Sequence, residues 1–520
     1  MRSTVDRRRW LIPLLGFLYL FPFPYFPALR SPNEGSRLYQ VRAIVDDGSF
    51  AVNGPLRRYG SMGDLSVFDG RYYPNKAPGI SIAGAAVYAA LKALVGWRAE
   101  RVTNELLLYA LRALLCAFPT LLLLAALRRR LWRWTSDGAS PQGGLAADAA
   151  ILAYGLGSLA YTYGLLFFSH QLCAVLLCGA WLRLETARDE DRLAPIAWAG
   201  LMAGAAVLTE YTAALAALPL GLYAFFVLDL PPGLPTLRRR VAAMLAFGLA
   251  SLPPQLALLL YHRQAYGGLF ESGYKHNASR AFQAWHDQGF MGVTTPTLRG
   301  LLGSFFDPAR GLFVFSPFLL LGPIGIWLLA RDPARRRSAA LLTVLFGLYA
   351  LFTASFIYEA WGWTVGPRHL TPLAAFLVVP VGVAIDQARR RSPWLAGAAG
   401  GLCLLSIAVT SLATVVYPHY PEVFTNGFFE LTLPLLRRGY LPRNAFGLAL
   451  GLGPWSWGFY FAALALAAAW LCWTMGDLRA RGTTLAVAAV GLFALGAVAR
   501  GANPAKDAMV RFVEGSYRLP

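Results

Sequence analysis

The chain has 520 residues, of which 57% are hydrophobic and 14% are charged, and its mean hydropathy is +0.48. Soluble domains carry roughly 25% charged residues, so this composition excludes a soluble globular protein and indicates many membrane spans. The net charge of +20 would also suit a nucleic-acid partner. However, arginines in short runs between apolar stretches are the topology signal of a membrane protein. We therefore expect membrane lipids, and no nucleic acid, as partners.

Hydropathy predicts thirteen membrane-spanning helices, with one ambiguous segment at 79–96. If that segment crossed the membrane, the arginines of 128–133 and every later basic loop would lie outside. We therefore predict that it is an interfacial helix. The five cysteines fall in apolar stretches and predict neither a disulfide framework nor a metal cluster. The predicted spans are 10–29, 104–127, 145–165, 170–184, 194–209, 211–229, 241–262, 312–330, 338–356, 370–385, 394–416, 453–473 and 482–500.

These spans predict an all-α polytopic membrane protein with a single transmembrane domain over 1–500. A large first loop, 31–103, carries the candidate active site and interfacial helices on the outer face, and 263–311 and 417–452 are further outer loops. Residues 501–520 form a short outer tail. The residue usage is typical of a bacterium with high GC content. The expected location is the bacterial cytoplasmic membrane, with a cytoplasmic N-terminus and an extracytoplasmic active site.

The first outer loop contains both carboxylates and cations. Transfer of a group from a phosphate to a hydroxyl needs a carboxylate to take the acceptor proton and cations to stabilise the departing phosphate. Glu34 suits the first role, and Lys76 and Arg368 suit the second. The alternative for Glu34 is a place in the first turn of a helix capped by Ser31 or Asn33.

Three further carboxylates are candidates for the catalytic base. Asp46 and Asp47 precede a glycine, so the alternative is a helix C-terminus that runs into a turn. Glu210 interrupts two apolar spans, where the alternative is a cap of the second helix.

Other polar residues at the outer ends of the spans predict a cavity, because charged groups are costly in lipid. His170 stands alone on a short turn, where the alternative to a metal ligand is a hydrogen-bonded interfacial residue. We expect no metal site. The residues predicted to bind a phosphate are Lys76, Lys275, Arg368 and His369, and those predicted to line a substrate cavity are Asn33, Arg37, Tyr73, His170, Tyr274, His276 and Glu359.

Four motifs in this order resemble the bacterial membrane glycosyltransferases of the GT-C class. The branch is the one related to protein O-mannosyltransferases and to the aminoarabinose transferase that acts on lipid A. The similarity covers roughly residues 1–390, and the last 130 or so residues match no motif. The motifs are Asn33-Glu34 with Arg37, Gly70 to Gly79, Phe306 to Phe313 followed by Ser316-Pro317, and Trp361 to Leu370.

The resemblance implies transfer of a sugar from a polyprenyl-phosphate donor to a lipid, glycan or protein acceptor on the outer face of the membrane. It also implies that Lys76 and Arg368 contact the donor phosphate. The family usually has Asp-Glu where this chain has Asn33-Glu34, and an amide cannot take a proton. The base is then Glu34, Asp46, Asp47 or Glu210.

A second departure concerns metal. Relatives often carry an acidic residue where this chain has Ser169-His170-Gln171, so we expect metal-independent transfer without a cofactor.

Three other functions remain open at the level of sequence. A transporter or flippase of lipid-linked sugars would also have many spans and a polar cavity, but its binding site usually lies at broken helices near the membrane midplane. A polysaccharide polymerase would share the lipid-phosphate site and need a larger acceptor groove. Asn33 also suits an inactive structural partner of an enzyme.

Overall fold

The computed structural model describes residues 10–26, 31–97, 101–135, 143–228, 234–357, 362–499, 501 and 503–518. Within these ranges the regular secondary structure is helical apart from one β-hairpin, β1 (Leu65–Phe68) and β2 (Arg71–Pro74). The helices are α1 (Leu11–Leu20), α2 (Pro32–Asp46), α3 (Asn53–Tyr59), α4 (Gly79–Leu94), α5 (Asn104–Arg112), α6 (Phe118–Thr135), α7 (Gly143–Leu156), α8 (Leu159–Gly164), α9 (Ser169–Glu190), α10 (Ala194–Thr209), α11 (Ala214–Phe226), α12 (Leu234–Tyr266), α13 (Arg280–His286), α14 (Leu298–Phe306), α15 (Leu312–Phe315), α16 (Leu321–Arg331), α17 (Arg336–Ser355), α18 (Thr371–Arg391), α19 (Pro393–Val416), α20 (Leu433–Arg437), α21 (Ala445–Ala449), α22 (Trp457–Thr474), α23 (Leu478–Ala497) and α24 (Pro504–Arg518).

The predicted all-α polytopic membrane fold is confirmed. Every one of the thirteen predicted spans contains helix, but only seven helical segments of the described chain are both long and apolar enough to cross a membrane. The count of thirteen therefore stays a prediction. The seven segments are Asn104–Thr135, Thr236–Tyr266, Arg336–Ser355, Arg368–Arg391, Pro393–Val416, Gly453–Thr474 and Leu478–Ala497.

Two of the predicted spans are broken helices. In the span 145–165, α7 ends at Leu156, and Ser158 begins α8 by accepting a hydrogen bond from the Ala160 N–H at 3.1 Å. In the span 312–330, α15 gives way to a turn of 3₁₀-helix that begins at Pro317, where a proline has no N–H to continue the helix. Both breaks interrupt apolar sequence, so hydropathy alone does not reveal them.

The basic loops that were predicted to share one side of the membrane do lie together at one end of the helices. Arg130 at the end of α6 pairs with Asp189 at the end of α9 at 2.8 Å. Arg335, in the loop before α17, donates to the carbonyl of Trp134 at 2.7 Å. Arg390 of α18 also donates to a carbonyl at the end of α6. The predicted grouping of these loops is confirmed, while its assignment to the cytoplasm stays a prediction.

The first outer loop folds at the opposite end of the helices. Its hairpin turns at Asp69-Gly70, where both residues have positive φ (49° and 69°), as a two-residue hairpin turn requires. The predicted interfacial helix is present as α4, and its buried face packs on α2 through residues that include Tyr88 and Lys92. Its depth in the membrane stays a prediction.

Helices α10 and α12 approach each other closely along a line of small residues. A Cβ at Gly200 would overlap the carbonyl oxygen of Phe247, and one at Gly204 would lie 2.6 Å from the Ser251 oxygen. Small residues at such positions let helix backbones come into contact in a membrane. This packing matters for the site described below, because α10 ends at Thr209, next to one of its carboxylates.

We predict that Gly200→Ala lowers the stability of the purified protein by about 1–3 kcal/mol, because the added methyl group forces two backbones apart. The matched control is Gly248→Ala on α12, where a Cβ would meet nothing within 4 Å. The control should be neutral or stabilising, since alanine is the better helix former. Thermal unfolding in detergent compares the two variants, and equal melting temperatures would contradict this account of the α10–α12 contact.

Candidate active site

Polar side chains from seven chain segments meet at the end of the helices that carries the first outer loop. We name Arg37, Lys76 and Arg368 the cation cluster, because Arg368 acts electrostatically on both Arg37 and Lys76, and Arg37 acts on Lys76. Most of the group comes from helix ends or from the loops next to them. The contributing residues are Asn33 and Arg37 of α2, Asp64 before β1, Lys76 after β2, Ser169 and His170 at the start of α9, Glu210 after α10, Tyr274 after α12, and Arg368 and His369 before α18.

A chain of hydrogen bonds connects Arg37 to Glu210. The Arg37 Nη2 donates to Ser169 Oγ at 2.8 Å, and Ser169 Oγ donates to Glu210 Oε2 at 2.5 Å. His170 Nδ1 lies 3.6 Å from the same carboxylate oxygen. Glu210 makes no capping hydrogen bond to the helical turn that follows it. The cap considered from the sequence is therefore absent, and this carboxylate is turned toward the arginine and the histidine.

Asn33 and Arg37 lie one helical turn apart at the start of α2. The Arg37 Nη1 donates to both the backbone carbonyl, at 2.9 Å, and the side-chain oxygen of Asn33. An asparagine here acts as an uncharged acceptor, so the buried arginine keeps its positive charge uncompensated at this contact. Arg37 Nε has no hydrogen-bond partner in the described part of the chain.

Lys76 and Asp64 face each other across the open end of the hairpin. The Lys76 Nζ lies 3.9 Å from Asp64 Oδ2, and the two side chains are 14% and 15% exposed. The Asn75 N–H donates to the Asp64 carbonyl at 3.1 Å, which fixes the two segments side by side. Lys76 also lies 5.5 Å from the ring centroid of Tyr274, within the range of a cation–π contact.

The turn that contains Tyr274 is held against the hairpin by hydrogen bonds on both sides of it. Ser66 Oγ donates to the carbonyl of Gly273 at 2.9 Å, and Asn75 Nδ2 donates to Asn277 Oδ1 at 2.8 Å. The loop 263–311 was predicted to be an outer loop, and these contacts bring part of it onto the first outer loop. These hydrogen bonds therefore hold Tyr274 in a fixed position beside Lys76.

Arg368 opens the helical turn that leads into α18. Its Nε is buried without a hydrogen-bond partner among the described residues, and no described carboxylate lies within ion-pair distance of its guanidinium. His369, next to it, packs edge-on against His170 with ring centroids 5.4 Å apart. Glu359, which was predicted to line the cavity, lies outside the described residues.

The charges around Lys76 favour an anionic ligand. Burial lowers the pKa of Lys76 below its ordinary 10.5, Asp64 acts in the opposite direction, and Arg368 and Arg37 lower this pKa further. Within the described chain, the three cations of the cluster face the two carboxylates Asp64 and Glu210. One positive charge is thus in excess, and a bound anion would compensate it.

Glu34 belongs to a different interaction from the one predicted. Its two oxygens accept hydrogen bonds from Arg112 Nε and Nη2, both at 2.8 Å, and Oε1 also accepts from the Phe167 N–H at 2.6 Å. Burial raises the pKa of Glu34, but the Arg112 charge and hydrogen bonds outweigh it and hold this pKa below 4.5. The geometry conflicts with the predicted role of Glu34 as the base, because the carboxylate is 1% exposed and already occupied.

Five other predicted site residues also contact partners away from the cation cluster. Asp46 accepts from Lys92 Nζ at 2.8 Å and from the Tyr88 hydroxyl. Asp47 forms an exposed bidentate pair with Arg58. The remaining three are Lys275, which pairs with Glu271 at 3.2 Å, His276, which stacks on Tyr266, and Tyr73, which is buried in an aromatic cluster with Tyr266 and Tyr261.

Two residues of the site were missed from the sequence. Asp64 belongs to the charged stretch of the first outer loop, but no motif distinguishes it from the other acids there. The hairpin signal Asp69-Gly70 could have found it, because the register pairs Leu65 with Pro74 and so places position 64 beside Asn75 and Lys76. Ser169 carries no such signal, since its role depends on the distant Arg37 and Glu210.

No group of three or more His, Cys, Asp or Glu side chains in the described ranges could hold a metal ion. Metal-independent chemistry is a prediction that this geometry does not test.

Fold and site together define a polytopic α-helical membrane protein with a cluster of cations and carboxylates at one end of its helices. No family model and no curated protein matches the chain. Among solved structures it is similar to ArnT from Cupriavidus metallidurans bound to undecaprenyl phosphate, with 16% identity, a TM-score of 0.46, and 91% of this chain and 76% of that chain covered.

Two further solved structures are similar to the chain. For arabinosyltransferase EmbB from Mycobacterium smegmatis the identity is 15% and the TM-score 0.46, with 94% of this chain and 40% of that chain covered. For the apo oligosaccharyltransferase of Archaeoglobus fulgidus the identity is 13% and the TM-score 0.45, with 80% of this chain and 57% of that chain covered. Because all three TM-scores lie below 0.5, the proposals below rest on this chain's own residues.

We predict that Glu34→Gln lowers the free energy of unfolding by about 3–5 kcal/mol, because it leaves Arg112 buried without its counter-charge. The matched control is Asp47→Asn in the exposed pair with Arg58, which should cost about 0–1 kcal/mol. Unfolding of the purified protein in detergent measures both. A Glu34→Gln variant with wild-type stability and no activity would contradict the structural role and restore Glu34 as a candidate base.

Proposed function

We propose that this protein is a glycosyltransferase that moves a sugar from a polyprenyl-phosphate-linked donor to a lipid, glycan or protein acceptor at the outer face of the bacterial cytoplasmic membrane. The observation that carries the proposal is the cation cluster of Arg37, Lys76 and Arg368, gathered with two carboxylates at one end of apolar helices. The resemblance of the sequence motifs to the GT-C class supplies the type of donor.

The cation cluster suits the phosphate of such a donor in charge and in geometry. A phosphodiester carries one negative charge, which equals the excess positive charge of the described site. Lys76 offers a point charge that is 14% exposed, and Arg368 offers a planar guanidinium whose Nε has no described partner. Arginine can grip two phosphate oxygens at once. Lys76 and Arg368 therefore take the two contacts to the phosphate.

The position of the site suits a lipid-linked substrate. The cluster lies where apolar helices end, beside the start of α9, the end of α10 and the start of α18. A phosphate bound there would stand at the depth of lipid head groups, with its isoprenoid chain alongside apolar helix surfaces. Arg37 is buried deeper, at 1% exposure, so we assign it to long-range stabilisation of the phosphate charge.

Sugar transfer also needs a carboxylate to take the proton of the acceptor hydroxyl. Of the four candidates proposed from the sequence, only Glu210 lies in the site. Asp64 is the second carboxylate there. Tyr274 lies beside Lys76 and is held in place by His286, which stacks on its ring with centroids 4.6 Å apart.

The main rival function is a transporter or flippase of lipid-linked sugars. Its substrate site would be expected at interrupted helices near the membrane midplane. Here the described charged cluster lies at helix ends and is paired with carboxylates suited to acid–base chemistry. Both features favour catalysis, and a flippase would bind the same donor without releasing its sugar.

The first test measures phosphate binding. We predict that Lys76→Ala and Arg368→Ala each weaken binding of polyprenyl phosphate to the protein in lipid nanodiscs by tenfold or more. The reason is that a hydrogen bond between charged groups contributes about 1.5–3 kcal/mol. Titration calorimetry or a fluorescent polyprenyl phosphate measures the affinity. Lys275→Ala is the matched control, since this exposed lysine pairs with Glu271, and unchanged affinity in both site variants would refute the phosphate site.

The second test concerns metal and turnover. We predict that the wild-type protein releases polyprenyl phosphate from radiolabelled polyprenyl-phosphate pentoses or hexoses when membrane extract supplies the acceptor, and that EDTA leaves this rate unchanged. The basis is that the cation cluster can stabilise the leaving phosphate without a metal ion. Loss of activity in EDTA that Mg²⁺ or Mn²⁺ restores would overturn the proposal of metal independence. Binding without release for every donor would favour the flippase.

A further inference from the structure

Among the described residues, two carboxylates lie in the proposed active site, Asp64 and Glu210, and their surroundings differ. We infer that Asp64 is the catalytic base that takes the acceptor proton, and that Glu210 is a positioning residue for Arg37; this rests on the proposed sugar transfer. The inference departs from the sequence-based candidates, none of which included Asp64. It also gives a reason why the chain can carry the amide Asn33 at the start of α2.

The residues at the start of α2 are unable to accept a proton. Asn33 is an amide, and its side-chain oxygen already accepts a hydrogen bond from Arg37. Glu34 is held by two nitrogens of Arg112 and by the Phe167 N–H. To act as a base, Glu34 would have to break a buried bidentate ion pair in every catalytic cycle, at a cost comparable to the whole gain from general-base catalysis.

Glu210 is buried, and its carboxylate already has partners within the site. Its side chain is 7% exposed, its Oε2 accepts the Ser169 hydroxyl at 2.5 Å, and His170 stands 3.6 Å away. Through Ser169 it compensates the charge of Arg37, which has no carboxylate partner of its own in the described chain. Neutralising Glu210 would therefore disturb Arg37 before it affected any proton transfer.

The Asp64 carboxylate, in contrast, is partly exposed. No hydrogen-bond donor of the described chain contacts its carboxylate. Lys76, at 3.9 Å, is the described cation within ion-pair distance of it, and Arg37 interacts with it at longer range. Its backbone is nevertheless fixed, because the Asn75 N–H donates to its carbonyl and its φ is +56°. A carboxylate with unoccupied lone pairs, partial exposure and a fixed backbone has what a general base requires.

Lys76 connects the base to the leaving group. In the proposed step the acceptor hydroxyl oxygen attacks the anomeric carbon, and the bond from that carbon to the phosphate oxygen breaks. The hydroxyl proton passes to the Asp64 carboxylate, and the electron pair of the broken bond leaves with polyprenyl phosphate. The charge that develops on the phosphate is stabilised by Lys76 and Arg368. One lysine thus contacts both groups that change charge.

The test compares Asp64→Asn with Asp69→Asn. Both aspartates have positive φ (56° and 49°), a conformation that asparagine also tolerates, and Asp69 lies in the exposed hairpin turn. We expect Asp64→Asn to slow release of polyprenyl phosphate from a polyprenyl-phosphate sugar at least 100-fold, as for loss of a general base. Its affinity for polyprenyl phosphate should stay equal or increase, since Lys76 loses its counter-charge. Asp69→Asn should behave as wild type.

The possible results distinguish the role of Asp64 from sugar transfer itself. Release by Asp64→Asn within threefold of wild type, or a loss of phosphate affinity that accounts for its loss of rate, would overturn the assignment of Asp64 as the base. In the acid range, the pH dependence of kcat/KM should disappear in Asp64→Asn and persist in Glu210→Gln; the reverse result would make Glu210 the base. If wild-type protein releases no polyprenyl phosphate from any donor, the proposed function fails instead.

Discussion

The buried ion pair between Glu34 and Arg112 is the contact on which the geometry of the site depends. Arg112 donates to both oxygens of Glu34 and, through Nη1, to the carbonyls of Pro24, Tyr25 and Phe26 at the exit of α1. The Phe167 N–H completes the set just before α9. Two charges buried in a membrane protein are tolerable only when each finds several partners. The pair therefore fixes the start of α2 against α5 and against the segment that leads into α9.

From that fixed start, the site follows in two steps. Arg37, one helical turn after Asn33, donates a hydrogen bond to Ser169, and Ser169 donates one to Glu210. These bonds connect α2, the start of α9 and the end of α10. The hairpin then brings Asp64 and Lys76 to the same end of the helices, with Tyr274 beside them. Among the described residues, this group has three cations and two carboxylates, which is a physical reason to expect an anionic ligand.

Much of this arrangement could be predicted from the sequence, because it depends on helix ends. Apolar periodicity and arginine runs place Lys76, His170, Glu210 and Arg368 at one end of the helices, and the structure brings them together. The role of Glu34 could not be predicted in this way, because its partner Arg112 lies 78 residues away inside a predicted span. The partners of Asp46 and Asp47 could not be predicted either, because Lys92 of α4 and Arg58 of α3 reach these carboxylates only through the packing of the two helices. Hydropathy also does not predict the helix breaks after α7 and α15, because both lie within apolar sequence.

A structure of the protein in nanodiscs with bound polyprenyl phosphate, determined by cryo-electron microscopy, tests the central claim most directly. The account predicts density for the phosphate within hydrogen-bonding distance of Lys76 Nζ and the Arg368 guanidinium, with Asp64 on the side of the site left open to an acceptor. Phosphate density bound at another place, with Lys76 and Arg368 unoccupied at saturating ligand, would contradict it.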